Sequence, residues 1–220
     1  MTKLIQRLLS FRARVAGKSN LLGVGEPSRE VGKILERAAK GQADPDRWGD
    51  PASYGGDHWD DRARQAARLV PDGLRVLEIG VGKGTFKALV KGRCTYTGAD
   101  LNPLDRESLR LDLETDPLPY GPFDVIILLG VLEYLHKLDR VTDMLRDAAP
   151  RLLISYCCVP GEAASTQVRN ARLERGWVNH LTAAQVRTQF GRPPFLLSTE
   201  EAFKTPGRLS DQRIFLFTRN

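Results

Sequence analysis

The stretch from Leu74 to Phe86, LRVLEIGVGKGTF, constrains this chain more than any other. Val76, Leu77 and Ile79 supply the apolar body of a short buried strand, which Glu78 interrupts. Gly80, Gly82 and Gly84 follow at once. A strand that ends in a glycine-rich turn and opens a helix makes a bed for a nucleoside ligand. No Cβ stands between backbone and ligand there, and glycine accepts the positive φ that such turns use. The dinucleotide fingerprint places glycines at the first, third and sixth positions. Here the sixth position is Thr85, and the third glycine comes one residue early.

Distance provides a second test. Cys94 to Asp100 is β-rich, and Asp100 lies 20 residues past Gly80. A carboxylate in that place accepts charge-assisted bonds from two vicinal ribose hydroxyls. The plainer alternative is a turn cap before Asn102-Pro103. An acidic residue two positions before the first glycine, followed by G-x-G-x-G, resembles the first motif of the class I methyltransferases that use S-adenosylmethionine. The resemblance covers roughly residues 70–220. It implies a Rossmann-like, doubly wound α/β fold whose seven-stranded sheet is mostly parallel with an antiparallel closing strand. It also implies S-adenosyl-L-methionine as cofactor, held by Glu78, Gly80, Gly82, Gly84, Asp100 and Leu101.

The element pattern agrees with that fold. Strands are predicted at Arg75–Ile79, Thr95–Asp100, Ser108–Leu111, Phe123–Leu128 and Arg151–Tyr156, with helices at Thr85–Val90, Leu138–Ala148 and Ala183–Phe190. Thr182 caps the last helix. FDVIIL is almost continuously apolar, as a strand covered on both faces should be. Phe195–Ser198 and Arg213–Thr218 form the closing antiparallel pair. Eleven residues separate Asp100 from Asp112, so the crossover after the second strand is cut short.

Residues 1–70 read as an N-terminal helical and lid segment, and residues 71–220 as the cofactor-binding domain. The net charge of +6 is carried by residues 1–40, which hold nine Lys/Arg against three Asp/Glu. A nucleic-acid binder spreads basic residues over the face that holds its site, so no nucleic-acid partner is expected. Within residues 1–20, Leu4, Ile5, Leu8, Phe11 and Val15 recur at helical spacing. That pattern suits a helix packed on its own domain, or one lying on an anionic membrane or a protein partner. Gly41 to Asp61 is turn-rich and holds Trp48, Tyr54, His58 and Trp59. The family resemblance implies that this segment folds over cofactor and substrate, with Tyr54, His58 and Trp59 as substrate contacts. Asp60 or Asp61 is expected to cap a helix through Val70. Three cysteines, two adjacent, make neither a disulfide framework nor a spaced metal site. The expected location is cytoplasmic, with membrane association possible through residues 1–20.

Further along, Asp112-Leu113 resembles the family element in which an acidic residue reads the adenine amino group and apolar neighbours sandwich the ring. Glu114 and Asp116 are alternatives for the carboxylate. Leu128 to His136 (LLGVLEYLH) resembles the VLEHL segment of small-molecule methyltransferases, which implies that Leu129 and Gly130 approach the sulfonium and its methyl group. The Asp/Asn-Pro-Pro-Tyr/Phe signature of amine methylation on bases or glutamine is absent, as is a Pro-Cys nucleophile. Cys157-Cys158 reads as packing. No ligand set for a metal stands out, so a metal-independent reaction is expected.

A hydroxyl acceptor must lose its proton, and His58, His136 and His180 are the available histidines. His180 is the first choice for base or orienting residue. Arg169, Arg172 and Arg175 precede it at helical spacing and present a basic face to an acidic acceptor. Arg172 and Trp177 are accordingly expected at the substrate, Trp177 as a stacking surface for a sugar ring. Ile154 to Thr182 resembles both methyltransferases of sugar or natural-product pathways and the methyltransferase-like protein of bacterial methionine biosynthesis. Two functions follow. One is O-methylation of a small molecule or saccharide intermediate. The other is a cofactor-binding partner protein that regulates or activates another biosynthetic enzyme.

Overall fold

A computed structural model describes residues 57–161, 165–173, 175–203 and 211–220, together with residues 32, 33, 36, 37, 40–42 and 48. The basic segment 1–20 and Tyr54 lie outside the described residues, as does the side chain of His58. In chain order the elements are α1 (Asp57–Arg68), β1 (Arg75–Ile79), α2 (Thr85–Val90), β2 (Thr95–Asp100), β3 (Leu109–Arg110) and β4 (Val125–Leu129). A short 3-10 turn (Leu132–Tyr134) leads to α3 (Leu138–Ala148), β5 (Arg151–Cys158), α4 (Thr166–Leu173), α5 (Ala183–Phe190), β6 (Phe195–Phe203) and β7 (Asp211–Arg219).

The strands form one sheet in the order β3-β2-β1-β4-β5-β7-β6. β1 pairs in parallel with β2 and β4, and β4 pairs in parallel with β5. β7 runs antiparallel to both β5 and β6. The single reversed strand is therefore β7, slotted between β5 and the edge strand β6. Strand order reverses between β1 and β4, which opens a crevice at the C-terminal ends of those two strands.

The period of two along the strands sorts the core into two layers. Leu77, Ile79, Ile126, Leu128, Leu152, Ile154, Phe215 and Phe217 face α3 and α5, where Val141, Leu145, Val186 and Phe190 are fully buried. Val76, Val125, Ile127, Leu129, Leu153 and Ile214 face α1 and α2, against Ala63, Ala66, Ala67, Phe86 and Val90. Burying each such aliphatic side chain contributes roughly 1.5–3 kcal/mol relative to leaving it exposed. Small alanines let α1 lie close on this layer, so the end of the predicted lid segment is part of the core.

Several boundaries differ from expectation for local reasons. α1 starts at Asp57, so Asp60 sits inside the helix and accepts from the hydroxyl of Thr85 at 2.7 Å, tying α1 to the start of α2. β4 begins only at Val125 because Asp124 turns aside to bind Arg75 through its backbone N–H at 2.8 Å and its guanidinium at 2.6 and 2.9 Å. β5 runs on to Cys158, since its Cys157 N–H donates to the Glu133 carboxylate at 2.8 Å. Thr182 caps α5 as expected, in a reciprocal pair with Gln185.

Candidate functional site

The glycine turn sits at the β1–β4 crevice. Gly80 has φ 85°, and a Cβ there would lie 2.3 Å from Val131 Cγ2. Only glycine lets the turn pass beneath the segment that follows β4. Gly130, at the end of β4, has φ 76°, and its Cβ would lie 2.5 Å from Arg62 Nη1. The Arg62 guanidinium therefore packs directly against the backbone that forms the crevice floor. Gly84 also needs its positive φ, 76°, but it opens α2 and does not line the crevice.

A single cavity runs along the crevice. At one end it is lined by Ile79, Gly80, Gly82, Asp100, Leu101, Leu111, Asp112 and Leu113. It continues past Leu129 and Gly130 to Trp48, Trp59, Tyr134, Leu135 and Val178, with Arg37, Gln42, Glu114 and His136 also on its wall. Eight of the ten expected cofactor contacts thus come together: Gly80, Gly82, Asp100, Leu101, Asp112, Leu113, Leu129 and Gly130. Glu78 and Gly84 lie behind the wall.

Asp100 holds the turn in shape. Its Oδ2 accepts from the Gly82 N–H at 3.0 Å and its Oδ1 from the Asn102 N–H at 3.1 Å. At 8% exposure the carboxyl is raised from its ordinary pKa by burial, against the lowering effect of those N–H groups. A carboxylate oxygen accepts more than one bond, so both oxygens keep capacity for a ligand hydroxyl. Glu78 faces away from the cavity and accepts a short hydrogen bond from the Tyr96 hydroxyl. Burial pushes it up to about 8, and the neighbouring Asp100 charge adds to the rise. Through Tyr96 it ties β1 to β2.

The three acidic residues after β3 divide their work. Glu114 accepts from the backbone N–H groups of His136 and Lys137, which fastens the β3–β4 connection to the loop after β4. Asp116 Oδ2 accepts from the Asp112 N–H at 2.8 Å. Asp112 lines the cavity with one oxygen, Oδ1, on the Glu114 N–H at 2.9 Å. Glu114 lines the cavity as well, but its carboxylate serves the His136 and Lys137 N–H groups, which leaves Asp112 with an oxygen to offer a ligand.

The far end of the cavity is aromatic. Trp48 meets Tyr134 edge to face with centroids 4.9 Å apart. The Arg62 guanidinium lies 5.4 Å from the centroid of Trp59. Tyr134 accepts from the Trp177 indole N–H at 3.0 Å. His136 Nε2 lies 3.2 Å from the Gln42 carbonyl oxygen.

Three substrate expectations are corrected. Arg172 is only 3% exposed. It donates to the carbonyls of Cys157 at 2.6 Å and Asn179 at 2.9 Å and to the Tyr156 hydroxyl at 3.0 Å. It staples α4 to β5 and cannot reach an acceptor, so Arg169, Arg172 and Arg175 do not share a basic face. Trp177 is 8% exposed and packed under Arg172, whose guanidinium lies 4.7 Å from its centroid. No face of it is open for a sugar ring. His180 does not line the cavity, and its Nδ1 accepts from Arg172 Nε at 3.2 Å. Burial, with Arg172 and Arg169 nearby, lowers its pKa to about 4. An imidazole so weakly basic is poorly matched to deprotonating a hydroxyl.

Sequence reasoning passed over Arg62, buried against Gly130, and Glu133, buried with its carboxylate on the Cys157 N–H. Burial lowers the pKa of Arg62, and the Glu133 charge is the largest influence opposing that fall. A signal existed. Trp59, Arg62, Ala63 and Ala66 fall at helical spacing, which puts an arginine in the apolar stripe of α1. Tyr134, Gln42 and Val178 had no such signal, because only tertiary convergence makes them neighbours.

Comparison with known proteins follows the same outline. Residues 29–192 match a family model described as a methyltransferase domain. No curated protein sequence matches the chain. Among solved structures, the chain is similar to magnesium protoporphyrin IX methyltransferase from Synechocystis PCC 6803 with S-adenosylhomocysteine bound. The identity is 19%, covering 86% of this chain and 100% of that one, at a TM-score of 0.56. It is also similar to the N-methyltransferase NodS from Bradyrhizobium japonicum, again with S-adenosylhomocysteine, at 17% identity, 84% and 98% coverage and a TM-score of 0.59. The [4+2]-cyclase SpnF shares the fold at 14% identity, 73% and 80% coverage and a TM-score of 0.57. At such identities the likeness is one of fold.

Proposed function

The chain belongs to the methyltransferase-domain family, of the class I superfamily that uses S-adenosylmethionine, and from that premise we propose that it O-methylates a small molecule. The observation that carries this reading is the continuity of the cavity, from Asp100 and the glycine turn past Gly130 to the aromatic chamber of Trp48, Trp59 and Tyr134. The residues present fit S-adenosylmethionine. Gly80 and Gly82 offer backbone without Cβ, Asp100 a carboxylate for the ribose hydroxyls, Asp112 an acceptor for the adenine amino group, and Leu101 and Leu113 an apolar sandwich. The cofactor supplies a methyl group on positively charged sulfur, an already activated leaving group.

What the protein adds is alignment and exclusion of water. Gly130 presents bare backbone at the β4 end, because the Arg62 guanidinium fills the space that a Cβ would take. The aromatic walls replace water around the acceptor. Trp48 and Trp59 reach the cavity from the segment before β1, which supports the lid reading of residues 41–61. No metal takes part in this reading. Incubation with methyl-labelled S-adenosylmethionine and fractionated cell metabolites should transfer label to a small organic product and survive EDTA. Binding of the cofactor with no turnover on any fraction would instead favour the partner-protein reading.

A further inference from the structure

The cofactor's amino-acid tail has no partner among the contacts placed so far. Asp100, Asp112, Leu101 and Leu113 take its adenosine end, which leaves an ammonium group and a carboxylate to be met elsewhere. That carboxylate is the cofactor's one anionic group. A buried cation beside the cavity, with no counter-ion of its own, would complete it.

Arg62 is such a cation. It is 7% exposed, and its Nε is shut from solvent with no hydrogen-bond partner. Among the described residues its guanidinium makes neither a hydrogen bond nor an ion pair. Glu133 offsets the charge through space but does not bond to it. One Glu133 oxygen, Oε1, accepts from the Cys157 N–H, and the other has no partner. A guanidinium buried in this way is costly until an anion bonds to it, and its fork matches a carboxylate.

Its place fits as well. The guanidinium lies where a Gly130 Cβ would meet Nη1 at 2.5 Å, and 5.4 Å from the centroid of Trp59. Gly130 and Trp59 both line the cavity, and Arg62 touches both. The other cations nearby are engaged: Arg37 has a partner, and Lys83 Nζ lies 3.9 Å from Asp60 Oδ1. The neighbours of Arg62 on α1 span the crevice. Asp60 accepts from the Thr85 hydroxyl at 2.7 Å on the glycine-turn side, and Arg62 meets Gly130 on the β4 side. One turn of helix thus touches both banks, and it carries an unpaired charge.

We propose that Arg62 is the counter-ion of the cofactor's carboxylate, and that forming this ion pair seats α1 across the crevice. This deepens the methyltransferase reading above and rests on it. Seating α1 fixes Trp59 on the cavity wall, so cofactor binding prepares the acceptor end.

The test compares two ligands on the full chain: S-adenosylhomocysteine and its decarboxylated analogue, which keeps the adenosine, the thioether and the ammonium group. By calorimetry the wild type should bind S-adenosylhomocysteine roughly 100-fold more tightly, the scale of a desolvated charge pair. Arg62→Met should bring S-adenosylhomocysteine down to the analogue's affinity and leave the analogue within about threefold of its wild-type value. Arg62→Lys, which keeps the charge without the fork, should fall between. In the wild type, amide exchange along α1 should slow several-fold more with saturating S-adenosylhomocysteine than with saturating analogue. Equal wild-type affinities for the two ligands would leave the guanidinium to buried water and overturn the proposal, and that comparison needs no variant to fold. Loss of both ligands in equal proportion by a folded Arg62→Met would overturn it too, as the mark of a merely structural arginine. So would equal protection of α1 by the two ligands. Binding of the analogue by the wild type keeps the cofactor reading in place whatever the fate of Arg62. No binding of either ligand would bring that reading down as well.

Discussion

The two ends of the cavity are built by different means. The cofactor end is made of strand termini: β1 ends at Ile79, β2 at Asp100 and β4 at Leu129, and the backbone itself forms most of the bed. Asp100 anchors it with bonds to neighbouring N–H groups rather than to distant side chains. The acceptor end draws Trp48, Trp59, Tyr134 and Val178 from four separate stretches of chain. One end is specified by local backbone geometry, the other by convergence of loops. The difference predicts which substitutions act on cofactor, which on acceptor, and which only on stability.

The largest effect should come at the backbone. Gly80→Val puts a branched side chain where even a Cβ would meet Val131 at 2.3 Å, at a φ of 85°. Cofactor affinity should drop beyond detection by calorimetry while circular dichroism retains the α/β signature. Measurable binding would mean that the turn is not the bed. Next, Arg172→Leu removes the donors on the Cys157 and Asn179 carbonyls and should cost about 3 kcal/mol in a urea melt. A variant as stable as wild type would restore Arg172 as a free substrate contact.

Glu78 tests the tie between β1 and β2. Its folded pKa, about 8, stands above the ordinary value of 4.5. The folded state therefore holds a proton that the unfolded state has released between those values. Stability of the ligand-free protein should be full below about pH 4.5 and decline as pH rises toward 8. Glu78→Gln should flatten that slope in melting temperature against pH. An unchanged slope would mean the carboxyl is not protonated in the fold. The smallest effect is expected from His180→Ala, with turnover within about threefold of wild type, below the scale of a lost general base. A 100-fold loss would return the base to that loop.

The same contrast explains what could be read from sequence. Strands β1 and β2, the glycine turn and Asp100 were legible because spacing along the chain fixes them. The reversed strand β7 was anticipated as half of an antiparallel pair, but not its place between β5 and β6. The acceptor end was largely opaque. Arg172 and Trp177 looked like substrate residues by type and position. Burial and the carbonyls that Arg172 serves decide otherwise, and neither leaves a trace in spacing. Arg62 was within reach, since a charged residue on an apolar helix stripe must be accommodated by something.

The most direct measurement titrates S-adenosylhomocysteine calorimetrically into wild type, Asp100→Ala and Trp48→Ala. Asp100→Ala should bind roughly 10- to 100-fold more weakly, the scale of losing charge-assisted bonds. Trp48→Ala should stay within about twofold of the wild type, since it lies at the other end of the cavity. Equal losses in both variants, or undiminished binding by Asp100→Ala, would contradict a cavity divided between a cofactor bed on the strand ends and an acceptor chamber in the loops.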